Sequence, residues 1–335
     1  MPRFPPNPVS AASGRAVLLV NLGTPAAPDA SALRRYLAEF LADPRVVELP
    51  RAIWYPILYG IILPFRAPRS AAAYRKIWTE RGSPLRVLSE DLAAALGTRL
   101  AGRAEVVLAM RYGEPSVARQ LRALRERGLR QLLVLPLYPQ YSGTTTASVF
   151  DAVMAELGTW RHWPELRTIS AYHEEPAWID AVASKIRAHR EGPSDPGHLL
   201  FSFHGIPQDC VERGDPYAGH CQASARAIAQ RLGLGEADWT LSYQSRLGKA
   251  TWLSPYTDQT VRDLARRGVR QLDVVCPGFA VDCLETLEEI ALQNAGFFRD
   301  AGGQTLRYIP ALNADAAHVE TLAALVERHL AGPDT

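Results

Sequence analysis

The segment CPGFAVDCLETLEE, residues 276–289, gathers three carboxylates at a spacing that suits chemistry: Asp282, Glu285 and Glu289 stand at i, i+3 and i+7. Wound as an α-helix, these positions share one side, and Leu284, Leu287 and Ala291 form an apolar side. Such a ladder could collect a cation or relay protons. Acids in a first helical turn also complement the macrodipole, and a solvated acidic face has the same pattern, so both readings stay open on this run alone. His204 is the second candidate. It ends the apolar run 199–203, just before Gly205 and Pro207, where a lone histidine is more often a packing or capping residue. If imidazole and carboxylate meet in one cleft, the pair can bind a divalent metal weakly and accept protons near neutral pH. HExxH is absent, and the run Tyr172-His173-Glu174-Glu175-Pro176 breaks at its proline. Two ligands without a third suit a metal that visits rather than one that stays.

These residues need a scaffold, and the chain reads as one. Strand-like runs ending in turn residues recur at 16–23, 104–113, 131–140, 198–205, 239–248, 271–278 and 305–310, with helix-period segments such as 117–127 and 260–267 between them. That alternation predicts βαβ units and parallel sheets. Residues 127–134 (RGLRQLLV) match 267–274 (RGVRQLDV) at six of eight positions, 140 residues apart. Each copy places a helix end at Gly, then a strand, then a loop, which favours internal duplication. The expected fold is α/β: two similar Rossmann-like domains, each a parallel sheet flanked by helices, with the active-site cleft between them. The expected boundaries are a disordered leader over 1–14, an N-terminal domain over 15–165 with a hydrophobic lip at 51–69, and a C-terminal domain over 166–310 carrying His204 and Glu285. A C-terminal helix in 311–335 is expected to pack back on the N-terminal domain. Ligands of open parallel sheets bind beyond the strands' carboxyl ends, where NLGTP, RYGEP, YPQYSGTTT, FHGIP, YQSRLG and PGFAVD fall. No GxGxxG follows a strand, and Gly248-Lys249 lacks the rest of a Walker loop, so a nucleotide is unsupported.

Composition removes other classes. With 37 Lys and Arg against 35 Asp and Glu in 335 residues, the net charge of +2 predicts no nucleic-acid footprint. Four cysteines without CxxC spacing, in a chain that opens on a Pro-rich stretch with no apolar signal region, suit a reduced cytoplasmic setting. No run reaches the roughly 20 apolar residues of a membrane span. The closest, IWYPILYGIILPF at 53–65, is interrupted by Pro56 and Pro64 and flanked by Arg51 and Arg66. It reads either as a buried core helix or as an exposed apolar lip that admits an apolar ligand or rests on a membrane.

Taken together, FSFHGIP (201–207), RGDPY (213–217), YQSRLG (243–248), WLSPYTD (252–258) and CPGFAVDCLETLEEI (276–290) resemble ferrochelatase, the last enzyme of haem synthesis, in its protoporphyrin-using proteobacterial type. NLGTP, RGSPL (81–85), MRYGEP and LYPQYSGTTT extend the resemblance, which runs from about residue 17 to 313 in one order. It implies insertion of Fe²⁺ into protoporphyrin IX with release of two protons, in a cleft between two Rossmann-like domains without nucleotide. His204 matches the histidine of the family's FSxHxxP motif and Glu285 the glutamate of D-x-x-E-T-L, as catalytic and metal-contacting residues. Asp282 and Glu289 match the supporting acids of that helix. The resemblance places Leu22, Phe40, Tyr112, Tyr138, Trp252 and Phe279 near the ring with Arg111 alongside, and Arg66, Arg69, Tyr74 and Ser245 toward the propionates.

Fe²⁺ is then a substrate, and no permanent cofactor is expected. Relatives with a [2Fe-2S] cluster carry cysteines that are missing here: the tail after Pro310 has none, Gly143 stands where one ligand would be, and Cys210 and Cys221 are only two. The expected partners are protoporphyrin IX and ferrous iron, with peripheral contact of the lip to the inner face of the membrane, and a monomer or weak dimer. Two alternatives stand beside this reading. One is a chelatase for another tetrapyrrole, coproporphyrin III or sirohydrochlorin; the other is a non-catalytic haem or porphyrin carrier, which would need the apolar walls but not the bases.

Overall fold

Apolar runs bounded by glycine and proline become two parallel sheets in the computed structural model, which describes residues 14–191, 197–246, 248 and 250–331. The first sheet contains β1 (Arg15–Gly23), β2 (Glu105–Tyr112), β3 (Gln131–Pro136) and β4 (Glu165–Thr168) in the order β2-β1-β3-β4. The second contains β5 (His198–His204), β6 (Trp239–Gln244), β7 (Gln271–Val275) and β8 (Thr305–Ile309) in the order β6-β5-β7-β8. All pairings are parallel, so the two halves share one topology. Strand β4 escapes the sequence reading because ELRT is short and polar. It lies at a sheet edge, half exposed, where no apolar run is needed. The proposed leader, residues 1–13 of it, lies outside the described residues.

The octamer repeat is a structural repeat. Helices Val117–Glu126 and Thr257–Arg266 each have ten residues and end before Gly128 and Gly268, both left-handed at φ 83° and 95°. The mismatch within the repeat is informative. Where β3 carries Leu133, β7 carries Asp273, fully buried between Arg190 (2.9 Å) and its β8 neighbour Arg307 (2.6 Å). Burial removes this carboxylate from water, and the two guanidiniums return the lost solvation.

Each half has an apolar cluster of its own, around Leu18 and Leu132 in the first and around Leu200 and Leu272 in the second, and a third cluster joins them. One continuous apolar cluster runs from Val17, Leu19 and Leu133 of the first sheet to Leu199, Phe201 and Phe203 of the second. It passes through the helices Pro84–Arg99, Pro176–Arg190, Tyr217–Leu232 and Ala316–Ala331. The helix Ala316–Ala331 lies along Pro84–Arg99 of the first half and Pro176–Arg190 of the second. Residues 51–77 form one rod of helix Arg51–Ile57, a π-helical turn Leu58–Ile62 and helix Leu63–Ile77. In the turn, the Leu63 N–H reaches the Leu58 carbonyl five residues back. Leu58, Leu63, Ala67, Ala71 and Tyr74 are buried, while Ile53, Tyr59, Ile61 and Phe65 project outward, Phe65 at 67% exposure. Of the two readings of 53–65, the structure supports the exposed lip.

Replacing Asp273 by Ala removes the carboxylate from between two arginines and is expected to cost about 3–5 kcal/mol. Urea unfolding of the wild type and Asp273→Ala measures this; a loss under about 1 kcal/mol would show that the buried pairs contribute nothing net.

Candidate active site

Strand β5 delivers His204 to its carboxyl end beside Gln244, its register partner on β6. The chain then turns through Gly205, whose N–H donates to the Gln244 carbonyl at 2.7 Å. A side chain there would begin 3.0 Å from that same oxygen and 3.3 Å from the Trp252 ring, so anything larger than glycine would push the strand end and the ring apart by a few tenths of an ångström. His204 Nδ1 lies 2.7 Å from the Gly205 carbonyl. A carbonyl only accepts, so Nδ1 carries the hydrogen and Nε2 keeps its lone pair. Burial lowers the His204 pKa, and the Arg66 charge adds to that, while Glu285 and the Gly205 carbonyl oppose it. The imidazole is therefore neutral near pH 7, with Nε2 able to take a proton or a metal.

Glu285 begins a longer π-helix, Glu285–Asn294. Its i→i+5 register is carried by Ala295 N–H to the Ile290 carbonyl, and Asn294 Nδ2 also reaches the Glu289 carbonyl at 2.8 Å. The expected α-helical ladder does not form. Asp282 lies before the helix in irregular chain, and the residues turned inward are Thr286, Glu288, Ile290 and Asn294, not Leu284, Leu287 and Ala291. Each residue of a π-helix turns through less than in an α-helix, which breaks an i, i+3, i+7 alignment, while Glu285 and Glu289, four apart, stay on one side as they would in either helix. Asp282 is a structural hub. Its carboxylate accepts from Asn313 Nδ2 (2.8 Å), Thr286 Oγ1 (3.1 Å), Ala311 N (3.2 Å) and the Tyr308 hydroxyl, which ties the π-helix start to the chain after β8.

The remaining acids divide their work. Ser245, held at φ 68°, donates both its N–H (2.9 Å) and its hydroxyl to Glu289. Both donors of Ser245, which the resemblance directs toward a propionate, are engaged by Glu289 here. Burial pushes the Glu289 carboxyl up to about 7 against the hydrogen bonds of Ser245, with the charge of Glu285 adding to the rise. Glu288, which the sequence reading passed over, is buried against Lys76 Nζ at 2.6 Å and fastens the π-helix to the lip rod. Gln244 was missed as well. Its amide donates to the Glu285 carbonyl at 2.9 Å and its oxygen accepts from Ser202 at 2.6 Å, so one side chain fixes Glu285 relative to the strand that carries His204.

The first half supplies walls and a cation. Leu22 and Phe40 lie partly buried in one cluster with Leu284, the neighbour of Glu285. Tyr138 is partly buried on the adjoining cluster, while Phe279 meets His204 edge-on at 6.5 Å and Trp252 closes over Gly205. Tyr112 is no wall: at 1% exposure its ring offers no face, and it supports Phe40 from behind at 5.1 Å. Arg111 and Tyr112 are both held by Asp43, which accepts from Arg111 Nη2 (2.5 Å), the Tyr112 hydroxyl (2.8 Å) and Ser148 Oγ (2.6 Å). Burial alone would raise the Asp43 pKa, but these donors and the Arg45 N–H lower it. No motif in the sequence announces Asp43. Arg66 and Tyr74 are turned inward in this structure. Tyr74 is buried beside Trp78, and both Tyr74 and Arg66 lie within reach of the Glu285 charge, not at a rim. Arg69 is exposed.

Glu289 makes a stability prediction. Unfolded, its carboxyl ionises near its ordinary 4.5; folded, near 7. Below pH 4.5 both states hold the proton, and between the two values only the folded state does. Folding therefore weakens as pH rises through this window, by up to about 3 kcal/mol. Urea unfolding from pH 5 to 8 should show this loss in the wild type but not in Glu289→Gln; identical slopes would contradict the placement.

Known proteins carry a similar sequence over this frame. The Ferrochelatase family model matches residues 14–330. The ferrochelatase of Methylococcus capsulatus is 55% identical over 326 residues, covering 97% of this chain and 99% of its own. Ferrochelatase 2 of Shewanella oneidensis is 50% identical, covering 94% and 97%. Among solved structures, SirB from Bacillus subtilis with Fe³⁺ superposes with a TM-score of 0.58 at 9% identity, covering 95% of this chain and 96% of that one. CbiX, the terminal enzyme of sirohaem biosynthesis in denitrifying bacteria, gives 0.51 at 15%, covering 96% and 100%. The latter two show the shared fold, a pair of facing parallel sheets. The sequence matches, which span both sheets, His204 and the π-helix, place the chain in the ferrochelatase family.

Proposed function

We propose that His204 and Glu285 form the station from which this chain, as a ferrochelatase, passes ferrous iron into protoporphyrin IX, giving protohaem and two protons. The observation that carries the reading is a neutral imidazole with its Nε2 lone pair free, within electrostatic reach of Glu285, whose backbone is fixed by the Gln244 bond. One nitrogen and one carboxylate hold Fe²⁺ weakly and in open coordination, so the metal can leave for the four ring nitrogens; a closed set of ligands would trap it. The pyrrole protons need acceptors as the metal enters. Neutral His204 can take one at Nε2, and Glu289, titrating near 7, is suited to take the other.

Leu22, Phe40, Tyr138, Trp252 and Phe279 supply apolar and aromatic surface suited to a flat macrocycle. The exposed Arg69 suits a propionate at the rim. Tyr112 and Arg111, anchored on Asp43, keep that wall in place. The outward side chains Ile53, Tyr59, Ile61 and Phe65 support peripheral contact with the inner face of the membrane, from which a poorly soluble ring could enter. Among the described residues no helix is long and apolar enough to cross a membrane.

Anaerobic Fe²⁺ insertion into protoporphyrin IX tests the station. His204→Ala and Glu285→Gln should each lower kcat by about 10²–10⁴ while porphyrin binding, read by fluorescence, is retained. Turnover within tenfold of wild type in either variant would remove that residue from the chemistry. Gln244→Ala should lower kcat by about 10²-fold with little change in KM for the ring, since it displaces Glu285 without touching substrate; an unchanged kcat would refute the positioning role. Liposome flotation tests the lip: wild type should float and an Ile61→Glu, Phe65→Glu variant should not. A wild type that stays at the bottom would contradict membrane contact.

A further inference from the structure

Arg66 occupies an unusual place for a cation. It comes from the helix Leu63–Ile77, whose buried residues Leu63, Ala67 and Tyr74 pack with Leu284, the residue before Glu285. Its Nη1 is buried and has no hydrogen-bond partner among the described residues. Nearly every buried guanidinium nitrogen finds an acceptor, so an unsatisfied one in a cleft marks a side chain awaiting a partner. The charge it feels is that of Glu285, and its own charge in turn disfavours protonation of His204. Lys76, on the same helix, is clamped to Glu288 at 2.6 Å, so the helix and the π-helix are held together around this spot.

A fixed positive charge at this position has a definite consequence for a metal site. It offsets the negative charge of Glu285, and it repels a divalent cation at His204 Nε2 in a place screened poorly by water. A site organised only to attract iron would not place an arginine there. The sequence supplies a route out. Arg69 is one helical turn further along, at i+3, so both side chains leave the same side of the helix, and Arg69 is already exposed. A carboxylate held by Arg69 would lie near enough to compete with Glu285 for Arg66, and would satisfy Nη1 in a bidentate pair.

We propose that Arg66 is an internal counter-cation that weakens metal binding at His204 and Glu285 while no porphyrin is bound, and is drawn toward a ring propionate when one docks. Porphyrin binding then uncovers the negative charge that accepts iron. This inference rests on the function proposed for His204 and Glu285. It makes ring and metal binding mutually favourable, since a coupling between two sites acts equally in both directions. It also limits futile capture of divalent cations by an enzyme without its ring.

Anaerobic Co²⁺ titration of the ring-free protein tests the proposal. Arg66→Met should bind Co²⁺ about tenfold or more tightly than wild type, while Arg66→Lys, which keeps the charge, should stay close to wild type. Arg66→Gln provides a second neutral variant should Arg66→Met fold poorly. In turnover at saturating protoporphyrin IX, where the propionate already engages residue 66 in wild type, the KM for Fe²⁺ should change by less than about threefold in the neutral variants, against the tenfold seen without ring. Neutral variants that bind Co²⁺ no more tightly than wild type would overturn the counter-cation role. Adding Glu285→Gln to Arg66→Met separates the two layers of the argument: it should abolish the gain, and a gain that survives would place the metal elsewhere, overturning the station together with the proposal.

Discussion

Ionisable groups at this site must work while shielded from water, and most of the local architecture answers that constraint. A buried carboxylate takes up a proton or finds partners, and a buried imidazole loses its proton. The structure uses every one of these responses. His204 is neutral because burial and Arg66 disfavour its charge. Glu289 holds its carboxyl near 7 despite two donors from Ser245. Glu288 is neutralised by Lys76, and Asp43 by Arg111 and two hydroxyls. The outcome is a set of groups poised to exchange protons and a metal, surrounded by others whose charges are locked.

The duplication explains how this set was divided. Both halves present strand ends to a common seam, yet the acid–base groups come from the second, at the ends of β5 and β6 and in the π-helix after β7. The first contributes Leu22, Phe40, Tyr138 and the arginine-bearing rod. Where the repeat diverges, the divergence has a physical reason: Leu133 needs only an apolar neighbourhood, while Asp273 needs Arg190 and Arg307. The π-helix 285–294 is a further feature of the second half, and Glu285 and Glu289, four residues apart, lie on one side of it.

Much of this was legible in the chain. The β-strand runs are strongly apolar and close on glycine or proline, and the 140-residue repeat announces two halves. His204 and Glu285 stand out by their motifs. What failed did so for identifiable reasons. An i, i+3, i+7 pattern assumes α-helical winding, and the sequence gives no sign that residues 285–294 wind wider, so Asp282 was drawn into a face it does not share. ELRT was too polar to read as a strand because an edge strand needs no apolar run. Asp43, Gln244 and Glu288 act through partners 68, 41 and 212 residues away, and such contacts leave no local pattern. Ser245 and Arg66 were sent toward the propionates by resemblance, whereas Ser245 is engaged by Glu289 and Arg66 is turned inward.

The central claim is that the metal rests on His204 and Glu285 before it enters the ring. Anomalous diffraction from crystals saturated anaerobically with Co²⁺ locates the metal directly. The account predicts a peak about 2.0–2.2 Å from both His204 Nε2 and a Glu285 carboxylate oxygen, with solvent filling the other positions. A metal bound at Glu288 and Glu289, or at the stacked rings of His173 and His220, with none at His204, would contradict it.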